Sequence, residues 1–75
     1  MNLTIEKMVG QNIRKFRIEA GLTQDQLAAK FQLHGCDITR SALAKIEVGQ
    51  RHLYVDELIV LHRILSCAYD RLLEV

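Results

Sequence analysis

The sequence predicts an all-α domain, and three observations carry that prediction. With no Pro and only four Gly in 75 residues, the chain has little material for the turns of a β architecture. Hydrophobic residues make up 49%, enough for a packed core rather than a disordered chain. Two short stretches, beginning after Thr23 and after Thr39, open with the same start signal for a helix. A chain of this length makes a single domain, residues 1–75, near the lower limit that one apolar core supports without metals or disulfides.

The first helix is expected from about Ile5 or Glu6 to Ala20, because Ile5, Val9, Ile13, Phe16 and Ala20 recur at helical spacing. Thr4 is the expected cap. Gly10 costs about 1 kcal/mol in helix propensity relative to Ala, so residues 1–8 are expected to fray or to form a flexible arm. Lys7, Arg14 and Lys15 occupy its other faces, as solvated charges or as phosphate contacts. Gly21 supplies the turn after it. The second helix starts with Thr23 as N-cap, Gln26 placed for a capping box and Leu22 with Leu27 as a hydrophobic staple; it buries Leu27, Ala28 and Phe31. It should run through Leu33 or His34, stop at Gly35, and lead by an extended stretch into Thr39.

The third helix, Arg40 to Glu47, repeats the device with Thr39 as cap and Ile38 with Leu43 as staple. Leu43 and Ile46 fall on one face, Arg40, Ser41, Ala44 and Lys45 largely on the other. A guanidinium, a hydroxyl and an ammonium thus stand within two turns, with small alanines beside them. Arg or Lys in a major groove reaches guanine acceptors, and Ser serves either base type. Gly49 terminates the helix, and a fourth is expected over about Val55 to Leu65. Asp56 and Glu57 fall in its favourable first turn, Leu58, Leu61, Ile64 and Leu65 point inward, and Ile59 and Val60 lie partly off that face.

The segments Ile13-Arg14-Lys15-Phe16-Arg17, Gly21-Leu22-Thr23-Gln24, Leu27-Ala28 and Leu43-Ala44-Lys45-Ile46-Glu47-Val48-Gly49 are weak signals singly. In this order and spacing they resemble the lambda-repressor-like helix-turn-helix family, also called the xenobiotic-response-element family, from about Val9 to Leu73. The resemblance implies five helices, with the helix-turn-helix at the second and third and a short fifth within Ala68 to Leu73. It implies double-stranded DNA as partner and a transcriptional regulator, a repressor reading a two-fold operator as a dimer. Base contacts then fall to Arg40, Ser41, Ala44 and Lys45, and phosphate contacts to Thr23, Gln24, Gln50 and Arg51. Arg17 and Glu47 are implied to form a buried ion pair. The connection Gln32 to Ile38 is longer than the family's usual tight turn, which leaves the angle between the two helices open.

A second reading keeps the fold without DNA, as a protein-interaction module such as an antitoxin or regulatory subunit. The charge on the third helix separates the two: Arg40 and Lys45 favour DNA, where acidic residues would favour a protein partner. Net charge is only +1, but residues 1–54 carry a balance of +3 and residues 55–75 one of −2, so the basic half holds the tandem helices. Apolar Tyr54, Ile59, Val60, Tyr69, Leu72 and Val75 exceed what one inward face absorbs, which predicts a homodimer through the C-terminal third.

Other classes lack material. No Gly-rich phosphate loop, convergent carboxylates or Cys-His arrangement marks an enzyme, and no cofactor is expected. Cys36 with His34 lacks the further ligands of a tetrahedral zinc site, so no metal is expected either. The longest aliphatic run, Leu58 to Val60 with Leu61, is far too short to span a bilayer, and no membrane role is expected. A cytoplasmic setting with both cysteines reduced follows as the expectation.

Overall fold

The computed structural model describes residues 2–75 and contains five helices in that span. They are α1 (Leu3–Glu19), α2 (Gln24–Leu33), α3 (Arg40–Glu47), α4 (Val55–Leu65) and α5 (Tyr69–Leu72). The chain is therefore all-α, with no strand among the described residues. Seven large side chains, Ile13, Leu27, Phe31, Ile38, Leu43, Leu61 and Leu72, are fully enclosed, so every helix contributes to one core. The two staples fall among them: Leu27 is buried with Leu22 packed against the core, and Ile38 and Leu43 enclose the start of α3.

The capping chemistry follows the residues. Thr23 Oγ1 accepts from the Gln26 amide at 3.1 Å while Gln26 Oε1 accepts from the Thr23 amide at 2.9 Å, closing a capping box. Thr39 Oγ1 accepts from the Ala42 amide at 3.1 Å. At α1 the expectation needs correction, because Asn2 and not Thr4 is the cap, its Oδ1 accepting from the Ile5 amide at 3.1 Å. Residues 3–8 of the expected arm are helical, and Met1 lies outside the described residues.

The longer connection between α2 and α3 folds back on α2. After Gly35, at φ +78°, the Cys36 amide donates to the Phe31 carbonyl, and Gln32 Nε2 donates to the Ile38 carbonyl at 2.9 Å. The extra length is thereby tied down before Thr39 starts α3. Cys36 packs inside this turn, where burial above all, and then the charges of Asp56 and Glu57, push its thiol pKa up. A thiol so placed is a poor nucleophile.

Two of the residues expected on a dimer surface are core instead. Val60 is 7% exposed and Leu72 is fully buried. The reason is that α4 packs against both α2 and α5, so its buried arc is wider than one helical face. Asn12 on α1 fixes the lid that α5 forms, its Nδ2 donating to the Leu72 carbonyl at 3.0 Å and to the Glu74 carbonyl at 2.7 Å.

Candidate nucleic-acid interface

The third helix is held at its end by a node of three side chains. Arg17 on α1 donates from Nε to Glu47 Oε2 at 2.7 Å and from Nη2 to Oε1 at 3.1 Å. Its Nη1 donates to the Leu22 carbonyl at 2.8 Å, just ahead of α2. Gln24, in the first turn of α2, adds Nε2 to Glu47 Oε1 at 3.1 Å. Glu47 is therefore where α1, α2 and α3 are joined, and both charged partners are buried. A buried carboxylate with this many donors meets the condition under which a charge pair tolerates removal from water.

Backbone approach fixes α3 from its other side. A Cβ on Gly10 would lie 2.3 Å from the Ile46 carbonyl oxygen and 2.7 Å from that of Glu47, so α1 crosses the end of α3 backbone to backbone. Gly49, at φ +79°, repeats the contact on the loop side, where a Cβ would fall 2.7 Å from Lys7 Cα. By propensity alone Gly10 is only a loss to the helix. Its true role is proximity, which no local pattern encodes.

With its inner face so anchored, α3 turns outward the side chains expected there. Arg40, Ser41 and Lys45 are exposed and Ala44 is half-buried beside them. Gln50 is exposed just past the helix end, its amide donating to the Lys45 carbonyl at 2.8 Å. Thr23 and Gln24 stand at the start of α2, whose first-turn amides and dipole favour an anion. Beside them opens a polar concavity of about 570 Å³ lined by Arg14, Arg17, Leu22, Thr23, Gln24, Asp25 and Arg40. Arg14, which the sequence left between solvent and phosphate, thus stands with Arg40 at the mouth of the helix-turn-helix.

Arg51, the other expected phosphate contact, is paired within the protein. Both terminal nitrogens donate to Glu57, Nη1 to Oε1 at 3.0 Å and Nη2 to Oε2 at 3.1 Å, and Nη1 also donates to the His52 carbonyl. The hydrogen bond that Arg51 donates to Glu57 raises the Arg51 pKa, and burial opposes it. Glu57 accepts as well from the Tyr54 amide at 2.9 Å, which caps α4. Arg51 therefore ties the loop onto α4, with Nε–H and one Nη2 hydrogen left for a further acceptor. From sequence Glu57 is a favourable first-turn charge; its placement three residues after the N-cap is the signal for the further role as cap and as partner of Arg51.

A domain with two capped helices in tandem, the second anchored inward and cationic outward, belongs to the helix-turn-helix class of DNA-binding proteins. Compared with known families, the chain matches the helix-turn-helix family over residues 13–72, most of its length. It is a member of that family, of the Cro and repressor type, and a DNA-binding transcription regulator in general terms. No curated protein and no solved structure matches it. No helix among the described residues is long and apolar enough to cross a membrane.

Proposed function

We propose that this protein is a repressor that reads a two-fold DNA operator as a homodimer in the cytoplasm, with α3 in the major groove. The observation that carries the reading is the pairing of an inward-locked Glu47 end with an outward Arg40, Ser41, Ala44 and Lys45 face on one eight-residue helix. Arg40 and Ser41 stand at the N-terminal end, which helix-turn-helix proteins push deepest, and Lys45 follows Ser41 by one turn on the same face. Thr23, Gln24 and Gln50 hold phosphates on either side, and Arg14 joins them from α1.

Four of the expected dimer residues remain exposed: Tyr54, Ile59, Tyr69 and Val75. Tyr69 on α5 stacks on His62 of α4 with ring centroids 4.0 Å apart, and Ile59 lies one turn from His62 on the same side of α4. Tyr54 borders an apolar groove of about 180 Å³ with Ile5, Val55, Leu58 and Leu73. Apolar surface of this kind on a small protein supports association.

Selection from a pool of randomised duplexes tests both parts. An enriched sequence with two inverted half-sites is expected; enrichment of a single unrepeated site contradicts the dimer, and no enrichment contradicts sequence reading. On the selected duplex, Arg40→Ala should cost about 1–3 kcal/mol and relax preference at one base pair. Arg14→Ala should weaken binding to every sequence alike and reduce the salt slope by about one.

A further inference from the structure

On the surface where α2 and α3 meet, Asp25 Oδ1 stands 3.9 Å from Arg40 Nε, with both side chains largely exposed. That separation is an ion-pair distance and not a hydrogen bond. Such a pair adds little to folding. What it does is orient. Asp25 meets the guanidinium at Nε, and neither terminal nitrogen of Arg40 is hydrogen-bonded among the described residues, so the pair that makes a two-point contact with a guanine edge is left free. Asp25 is also the acidic residue on a concavity where Arg14, Arg17 and Arg40 gather. Arg17 is committed to Glu47 and the Leu22 carbonyl, so Arg40 is the guanidinium that Asp25 meets.

A carboxylate on a surface that approaches phosphates carries a cost for every DNA sequence, since like charges at close range repel even in water. Placement in the first turn of α2 compensates through the helix dipole, but the dipole does not require contact with Arg40. We propose that Asp25 is the positioning residue for DNA specificity: it holds Arg40 by its Nε edge for two-point base recognition and repels phosphate that lacks a matching base. The inference rests on the reading of Arg40 as a base contact. Asp25 acts through Arg40 and against the backbone, so it lowers overall affinity while raising discrimination.

The experiment measures binding of the purified protein to the selected duplex and to variants at the base pair read by Arg40, at several salt concentrations. Asp25→Asn should bind the variant duplexes more tightly, by about two- to fivefold, and its discrimination between matched and variant duplexes should fall by a similar factor. In an Arg40→Ala background the same change should leave discrimination where Arg40→Ala already put it, because a positioning residue has nothing left to position. A merely structural Asp25 would shift the melting temperature and move all duplexes alike. Unchanged discrimination in Asp25→Asn, or an equal loss with and without Arg40, overturns the proposal while leaving DNA binding intact. Failure of the unaltered protein to prefer any duplex overturns the underlying reading and the proposal with it.

Discussion

Glu47→Ala should lower stability by about 3–5 kcal/mol, because it leaves the Arg17 guanidinium buried without its counter-charge. It also removes an acceptor of Gln24, so the first turn of α2 loses its tie to α3. Domains of this size are held by roughly 5–15 kcal/mol, and 1 kcal/mol is worth about 4–8 °C at the midpoint. A fall of well over ten degrees, or a chain unfolded at room temperature, is the expected result in a thermal melt. A midpoint within a few degrees of the unaltered protein would show that the node does not hold the fold. Replacing both charges with apolar residues of similar size should be milder than Glu47→Ala, since no charge is then stranded.

Gly10→Ala is expected to destabilise by at least about 2 kcal/mol, although Ala is the better helix former by about 1 kcal/mol. The new methyl would meet the carbonyls of Ile46 and Glu47 at 2.3 and 2.7 Å, and neither is the movable end of a side chain. Either α1 or α3 must shift, and a shift there strains the Arg17–Glu47 pair as well. Chemical denaturation should show a lower midpoint with little change in slope. An unchanged or higher midpoint would mean that the propensity gain outweighs contact and that the two helices do not cross so closely.

These two positions divide what the sequence makes legible from what it does not. Thr23, Gln26 and Thr39 announce their helices because capping and stapling operate over three to five residues, and the stops at Gly21, Gly35 and Gly49 follow from a positive φ at each. Ser66 makes the same left-handed turn after α4, at φ 51°, without the glycine that signals it. Arg17 and Glu47 are thirty residues apart, so nothing local pairs them, and only the family likeness pointed there. Gly10, Asn12 and Glu57 act through approach to distant backbone or to a neighbouring loop, which periodicity does not see. Val60 is core because α4 meets two neighbours, α2 and α5, whereas periodicity marks a single inward face. The burial of Leu72 is not legible in the sequence because α5, four residues long, is too short to show a period. On the outer face of α3, by contrast, exposure follows from the same spacing that buries Leu43 and Ile46, so the candidate contacts Arg40, Ser41 and Lys45 were readable before any fold was known.

The most direct test of the DNA-binding face is an amide footprint, with backbone NMR shifts and hydrogen exchange recorded on the protein alone and on the selected duplex. Changes should concentrate at Thr23 to Gln26, at Arg40 to Lys45, and at Gln50, with Arg14 perturbed from α1. Changes confined to the groove between Ile5, Val55 and Leu73, with α3 untouched, would contradict the assignment of α3 as the helix that enters DNA.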